Sequence, residues 1–119
     1  MPAKVGASTV GSGQVAPSAT TETVLYTVPA QRYFVSGMLT VCNRNAGAGT
    51  FRVRVIPSGA TPGNEHYLYY DTSLAGSSTL LLDFAGGMAL NAGDVVKVYA
   101  STADFSFGLF GFLSGLSNL

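Results

Sequence analysis

The segment TFRVRVIP alternates apolar and charged side chains with a period of two. Phe51, Val53 and Val55 share one side of an extended chain, and Arg52 and Arg54 share the other. Such a pattern is typical of a strand with one buried face and one face in water. This segment therefore predicts a β-sheet that covers a core on one side only.

Similar runs recur along the chain, separated by turns rich in Gly, Pro, Asn and Ser. No segment has apolar residues at helical spacing over the length of a helix, and the helix formers Glu, Lys and Gln are scarce. The sequence predicts an all-β fold: an antiparallel β-sandwich, jelly-roll-like, with about seven to eight strands. The predicted strands are TVLYTV, YFVSGMLTVCN, TFRVRVIP, HYLYYDT, STLLLDF, VVKVYAS and DFSFGLFGF.

Strict alternation divides each strand between two faces. It places Val24 with Tyr26 and Val28 on one face of the first strand, and Tyr67 with Tyr69 on one face of HYLYYDT. In YFVSGMLTVCN it sets Tyr33, Val35, Leu39 and Val41 against Phe34, Met38 and Cys42.

The chain of 119 residues fits one domain, with a compositional change near its start. Residues 1–20 are mostly Ala, Ser, Thr, Gly and Val with no periodicity, which predicts an extended N-terminal arm that lies along a partner or is disordered alone. Residues 21–114 are predicted to form the sandwich. Residues 115–119 are predicted to be a short C-terminal tail.

Charged residues make up 10% of the chain, whereas a typical soluble domain has about 25%. Six basic and six acidic residues cancel, so the composition gives no electrostatic footprint for nucleic acid or for an anionic membrane. Because solubility depends on surface charge, we expect much of this surface to be covered by neighbouring subunits. The start of the chain lacks the apolar core of a secretory signal, which favours synthesis in a cytoplasm without export.

The residues that could carry chemistry are sparse and scattered. His66 is the only histidine and Cys42 the only cysteine, so neither a histidine cluster for a metal nor an internal disulfide is available. The acidic residues stand at turns or strand ends, where they satisfy backbone groups. Sequence does not give the spatial separation that a carboxylate pair for glycoside cleavage needs, so that arrangement stays open. We predict no enzyme, no cofactor and no metal.

The C-terminal segment DFSFGLFGFLSGLSNL carries no charge after Asp104. It is shorter than the roughly 20 residues of a membrane-spanning helix, and glycines interrupt it. Alternation turns Phe105, Phe107 and Leu109 toward the chain's own core. Apolar side chains then also occur on the opposite face, so we expect a sister subunit or a shell to cover Phe110, Phe112 and Leu116, and truncation after Gly111 to impair assembly rather than folding.

Two further groups are candidate contact residues. Arg52 and Arg54 are a third of the basic residues and share a strand face, which fits either a solvated face that discourages edge pairing or a contact with another subunit or the capsid. The tyrosines of HYLYYD present aromatic surface of the kind found at protein interfaces and carbohydrate-binding sites. The predicted partner interface comprises Arg52, Arg54, Tyr67, Tyr69, Phe110, Phe112 and Leu116.

The succession from ETVLYTVPAQRYFVSGMLTVCN through TFRVRVIPSGATPGNEHYLYYDTSL to LNAGDVVKVYAS and a closing strand resembles small virion accessory proteins of tailed bacteriophages. The resemblance covers residues 22 to about 112, and LYTVPA and LNAGDVVKV are the recurrent elements that carry it. The group includes capsid cement or decoration proteins and small β-sandwich modules of tails.

This resemblance implies a non-enzymatic structural protein that binds the outer surface of a phage capsid as a homo-oligomer and stabilises it. The implied partners are the major capsid protein and other copies of the chain, with a homotrimer favoured and a homodimer possible. The implied location is the virion, after synthesis in the bacterial cytoplasm. One alternative is a tail or fibre module that recognises a host surface glycan through Tyr67, Tyr69 and the loops at 43–49 and 58–65. Another is a free-standing lectin-like sandwich.

Overall fold

The computed structural model of the chain describes residues 8–115. They form eight β-strands and a single turn of 3-10 helix at Asn64–His66. The strands are β1 (Ser8–Val15), β2 (Thr23–Thr27), β3 (Arg32–Asn43), β4 (Gly49–Ile56), β5 (Tyr67–Leu74), β6 (Ser78–Leu90), β7 (Val95–Ala100) and β8 (Phe105–Gly115). Within this range no helix is long and apolar enough to cross a membrane.

The strands form two four-stranded antiparallel sheets, with orders β1-β8-β3-β6 and β2-β7-β4-β5. The first strand pairs with the last, the second with the second last, and so inward to the β4–β5 hairpin. The chain is thus one antiparallel ribbon of four strand pairs, rolled so that β3 also pairs with β8 and β4 with β7. This arrangement is an eight-stranded jelly roll. The predicted all-β, jelly-roll-like sandwich is confirmed.

The core lies between the inner faces of the two sheets. Phe51 on β4 is its centre, with ring centroids of Tyr69, Phe105 and Phe107 at 5.9, 6.3 and 6.2 Å. The predicted alternation is found on β7, on β8 and on β4 from Phe51 to Val55, whereas Ile56, the next residue of β4, is buried as well. Among the residues whose side chains the structure describes, the buried apolar ones are Leu25, Val28, Phe34, Leu39, Val41, Phe51, Val53, Ile56, Leu74, Leu90, Val96, Val98, Ala100, Phe105, Phe107 and Leu109.

Residues Ser8–Val15 form the edge strand β1, whereas the sequence predicted an extended arm over residues 1–20. The ladder with β8 runs without interruption from Ser8 opposite Ser114 to Val15 opposite Phe107. Gly13 faces inward, where an added Cβ would lie 2.3 Å from the backbone oxygen of Leu25. Because glycine replaces apolar side chains at such inward positions, β1 shows no hydrophobic period. Its place in the sheet comes from backbone pairing, which composition does not reveal. Residues 1–7 lie outside the described range.

A β-bulge in β3 changes which side chains face the core. The pairing of β3 with both neighbours shifts between Ser36 and Met38, and such a shift moves later residues to the other face. Phe34 and Leu39 are therefore both buried, while Met38 is exposed. This corrects the predicted grouping of Phe34 with Met38. The isolated Gly37 is the sequence signal for such a bulge.

β2 contains a second irregularity, between Val24 and Tyr26. Leu25 is buried there and Val24 is exposed, whereas strict alternation placed Val24 on the same face as Tyr26 and the buried Val28. Tyr26 still turns toward the core, with its ring centroid 4.8 Å from that of Phe34. In β2, two consecutive residues, Leu25 and Tyr26, therefore both contact the core.

Buried polar side chains hold the loops at both ends of the sandwich. The Asn43 side-chain amide donates hydrogen bonds to the backbone oxygens of Gly47, Leu74 and Ala75 at 3.1, 3.1 and 3.3 Å. At the other end, Asp94 accepts hydrogen bonds from the backbone N–H groups of Ser58 and Asn91 at 2.9 and 2.8 Å. Both side chains therefore form hydrogen bonds with backbone groups of loops and turns, which is the structural role expected for polar side chains at such positions.

Candidate functional site

β8 divides its aromatic side chains between the core and the surface. Phe105, Phe107 and Leu109 are buried, as predicted. Phe110 and Phe112 lie on the outer side of the same strand and are 37% and 57% exposed. Alternation continues through the whole strand, and what changes after Leu109 is the outer face, from Ser and Gly to Phe.

The two exposed phenylalanines belong to a larger apolar surface on the β1-β8-β3-β6 sheet. Val35 stands opposite Phe112 and Met38 opposite Phe110 on the neighbouring strand β3. Leu81, on β6 and 60% exposed, continues the surface on the far side of β3. We call these five residues, Val35, Met38, Leu81, Phe110 and Phe112, the apolar face. Leu116, which was also predicted to contact a partner, lies outside the described residues.

A glycine fixes the position of one aromatic ring in the apolar face. A Cβ added at Gly108 would lie 2.8 Å from a ring carbon of Phe110 and 2.8 Å from Oγ1 of Thr40. The missing side chain therefore lets the Phe110 ring lie back over β8. Beside it, residues 37–38 and 110–112 line a shallow and mainly apolar groove of about 330 Å³. Met38, Phe110 and Phe112 thus form one connected surface rather than isolated side chains.

Arg52 lies on the outer face of the other sheet, between two aromatic rings. Its guanidinium carbon is 4.3 Å from the ring centroid of Tyr70 and 4.3 Å from that of Tyr99. Arg52 also donates two hydrogen bonds to the Asp71 carboxylate, at 2.6 and 3.3 Å. The hydrogen bond to Asp71 is the main cause that raises the pKa of Arg52. This arginine is held by its own chain, which was not apparent from the alternation of β4.

Arg54 is held in the same manner two residues further along β4. It donates hydrogen bonds to both carboxylate oxygens of Glu22, at 2.5 and 2.6 Å, and its guanidinium carbon lies 5.0 Å from the ring centroid of Tyr67. The hydrogen bond to Glu22 raises the pKa of Arg54. Both arginines predicted to contact a partner are therefore already paired with carboxylates. Together with Tyr67, Tyr70 and Tyr99 they form what we call the tyrosine–arginine face.

The tyrosines of β5 do not follow strict alternation. The β4–β5 ladder has two irregularities, and it sets Tyr69 opposite buried Val53 but Tyr67 opposite Arg54. Tyr69 packs against the core, whereas Tyr67 lies outside and its ring meets that of Tyr70 at 4.9 Å and 79°. The expectation that Tyr67 and Tyr69 share a face is wrong because of these bulges. Tyr70, which is 57% exposed, takes the predicted place of Tyr69 on the surface.

The other residues singled out from the sequence have structural contacts. His66 Nδ1 accepts a hydrogen bond from the backbone N–H of Gly63 at 3.0 Å, which fixes the 3-10 helix. Asp104 accepts a hydrogen bond from the Asn45 side chain at 2.7 Å. Cys42 is a half-buried free thiol on β3. Among residues 8–115, no three His, Cys, Asp or Glu side chains stand close enough together to hold a metal ion.

No protein-family model and no curated protein matches the chain. Solved structures to which the chain is similar include the following two. One belongs to Bacillus endospore appendages, described as a family of disulfide-linked pili, with 18% identity and a TM-score of 0.45, covering 98% of this chain and 95% of that one. The other is a pentameric capsid protein from metagenomic phage sequences, with 18% identity and a TM-score of 0.34, covering 92% of this chain and 64% of that one. Because both TM-scores are below 0.5, neither likeness bears on function.

Proposed function

We propose that this chain is a non-enzymatic structural protein of a phage virion, which binds the outer surface of the capsid as a homo-oligomer and stabilises it. The observation that carries the proposal is the apolar face in a chain with only 10% charged residues. Single exposed apolar residues are ordinary on soluble proteins, whereas contiguous apolar patches are typical of interaction sites.

The apolar face lies mainly on the two inner strands of its sheet. β8 and β3, which carry four of its five residues, are the two inner strands of β1-β8-β3-β6 and are paired on both sides. The outward side chains of β8 from Ser106 to Ser114 are Ser, Gly and Phe, so a partner meets no charge along this strand. The outward side chains of β8 therefore offer an uncharged surface for contact with another protein.

The free energy gained by burying the apolar face is large enough for a stabilising contact. Fully burying a Phe, Leu or Met side chain contributes about 1.5 to 3 kcal/mol, and these residues begin partly exposed. Burying four of them in a partner therefore contributes several kcal/mol before the cost of association. In an oligomer that contacts the shell at several points, such individually weak contacts combine into durable attachment.

The copy number of the chain in purified particles tests the proposed location. Quantitative mass spectrometry gives its ratio to the major shell protein. A ratio near one, or a simple fraction such as one third, is expected for a protein that covers the icosahedral lattice. A ratio of a few per cent or less would place the chain in a tail or at a unique vertex, and its absence from particles would overturn the virion role altogether.

A matched pair of variants tests the surface itself. Phe112→Ser removes the most exposed aromatic side chain of the apolar face, and Leu68→Ser removes a comparably exposed apolar side chain from the other sheet. We expect the first variant to lose binding to shells that lack the protein and the second to retain it. These point substitutions replace the truncation after Gly111, because that truncation would remove residues of β8 that pair with β1 and β3. Equal binding by both variants would exclude the apolar face as the contact.

A further inference from the structure

The tyrosine–arginine face contains a small hollow beside the 3-10 helix. Asn64, Tyr67 and Tyr70 line it, and its volume is about 280 Å³. That is just below the range for small-molecule sites, which begins at about 300 Å³. The hollow therefore has room for a ligand of one ring rather than for an extended chain.

The two aromatic rings of the hollow are fixed before any ligand arrives. They stand almost perpendicular, at 79°, with their centroids 4.9 Å apart. Arg52 stacks on Tyr70 and Arg54 on Tyr67, and each arginine is hydrogen-bonded to a carboxylate through two nitrogen atoms. Because these contacts already restrict the rings, a ligand that stacks on them does not bear the full entropic cost of ordering them.

The positive charges beside the two rings are paired with carboxylates. The cation nearest Tyr70 is Arg52, which is paired with Asp71, and the cation nearest Tyr67 is Arg54, which is paired with Glu22. A phosphate or carboxylate ligand would have to displace one of these carboxylates to gain an arginine. The site consequently favours an uncharged ligand.

We propose that this hollow binds a single uncharged sugar ring. A pyranose has a face of C–H bonds that packs on an aromatic ring and an edge of hydroxyl groups that needs hydrogen-bond partners. Tyr70 and Tyr67 supply the aromatic surface, with their hydroxyl groups as polar tips. The Asn64 side-chain amide, exposed at the rim, supplies both donors and an acceptor for hydroxyl groups.

The position of the hollow is compatible with docking through the apolar face. The outer faces of the two sheets of a sandwich point in opposite directions, and the hollow and the apolar face belong to different sheets. A copy attached through the apolar face thus keeps its hollow turned away from the shell. One sugar ring binds weakly, but many copies on one particle would bind a glycan-covered surface with high avidity.

Titration of the isotopically labelled full chain with monosaccharides tests this site directly. The probes are the methyl glycosides of glucose, galactose, mannose and N-acetylglucosamine, at concentrations up to tens of millimolar. We expect at least one of them to give saturable NMR shifts of the Asn64 side-chain amide and of the Tyr67 and Tyr70 rings, with a millimolar dissociation constant. Methyl glucuronide and inorganic phosphate serve as anionic comparators and should give no saturable shift there.

Two substitutions and one control assign the binding to the hollow. Tyr70→Ala removes the stacking ring, and Asn64→Ala removes the rim amide without touching an arginine. Each is expected to weaken sugar binding by about tenfold or more, whereas Tyr33→Ala removes an exposed tyrosine from the other sheet and should leave it unchanged. The backbone spectrum of each variant reports whether it is folded.

Three outcomes would overturn the proposal: no saturable shift with any neutral sugar, binding that both variants retain, or saturable binding of the anionic probes alone. Because the assay uses the isolated chain, its result is independent of the copy number in particles. A failed capsid role and a failed sugar site are therefore distinguishable.

Discussion

Asn43 shows how a single buried side chain connects three parts of the chain. It is fully buried at the end of β3, and its amide is shared among backbone oxygens of the 43–49 loop and of the turn after β5. Its own Oδ1 accepts a hydrogen bond from the backbone N–H of Asn45 at 3.0 Å. No hydrophobic residue could satisfy these groups, so a polar side chain at this buried position is a requirement of the loops.

The first prediction concerns this residue. Asn43→Leu leaves several buried or half-buried backbone groups without partners and is expected to lower the free energy of unfolding by about 2 to 4 kcal/mol. Urea denaturation of the purified chain measures the change. Asn91→Leu, at an exposed turn position, is the control and should stay within about 0.5 kcal/mol of the parent chain. Equal stability of both variants would contradict the role given to Asn43.

The second prediction concerns Tyr26. Its hydroxyl is buried and has no hydrogen-bond partner among the described residues. Burial raises the pKa of Tyr26 above its ordinary value, and the nearby Arg32 opposes this shift. The folded chain therefore retains this proton more firmly than the unfolded chain, so its stability is unaffected below the ordinary tyrosine pKa of about 10 and falls as the pH rises above it.

Tyr26→Phe removes the ionisable group together with the unpaired hydroxyl. We expect the variant to be at least as stable as the parent at neutral pH. Above pH 10 it should lose less stability, as measured by urea denaturation across a pH series. A variant that is less stable at neutral pH and has the same alkaline slope would show that the hydroxyl has a favourable partner.

At the scale of the strands, β1 depends more on backbone geometry than on side-chain burial. Its inward positions Gly11 and Gly13 lie against the Phe34 ring and the backbone of Leu25. Val15 is the one side chain between residues 11 and 15 that packs against the core. The strand is therefore attached chiefly by its ladder to β8.

The third prediction follows from the close approach at Gly13. A Cβ there would lie 2.3 Å from a backbone oxygen, which cannot move aside as a flexible side chain can. Gly13→Ala should displace β1 and lower stability by about 1 to 3 kcal/mol. Hydrogen exchange should become faster over Ser8–Val15 while the β3–β6 ladder stays protected. Gly47→Ala, where the nearest atom is 3.5 Å away, is the control; protection of β1 in both variants would refute the steric argument.

The alternation of apolar and polar side chains predicted the strands well where side chains determine the burial pattern. It failed where backbone pairing or a β-bulge determines which residues face the core. The sequence was sufficient to predict the all-β fold and the inward faces of β4, β7 and β8. It also predicted the exposure of Phe110 and Phe112. The bulges at Gly37 and in β5 could not be located by period alone, because one extra residue reverses every later position. The period alone consequently does not single out Met38 and Tyr70 as surface residues. It does not reveal β1 as a strand either, because glycines occupy the inward positions of β1.

At the scale of the whole molecule, the two sheets present surfaces of different chemistry. One outer face is apolar, and the other has tyrosines with internally paired charges. The fourth prediction is that free copies of the chain, with no shell to cover the apolar face, associate with one another through the first of these surfaces. Sedimentation should show concentration-dependent oligomers of the parent chain, which Phe112→Ser shifts toward monomer at unchanged stability, since Phe112 is more than half exposed.

The control for this prediction is Tyr70→Ser, on the opposite sheet. It should leave the distribution of oligomers as it is in the parent chain. Dissociation by Tyr70→Ser rather than by Phe112→Ser would place the contact between copies on the tyrosine–arginine face. That result would also remove the sugar site from the free surface.

The pairing of the first strand with the last also determines when the chain can fold during its synthesis. β8 is the neighbour of both β1 and β3, and it is translated after all the other described strands. While it is still in the ribosome, β1 has no partner in its sheet and the inner side of β3 is open. The sandwich therefore closes only after translation has passed β8, and until then the nascent chain exposes strand edges and core residues of the kind that favour aggregation.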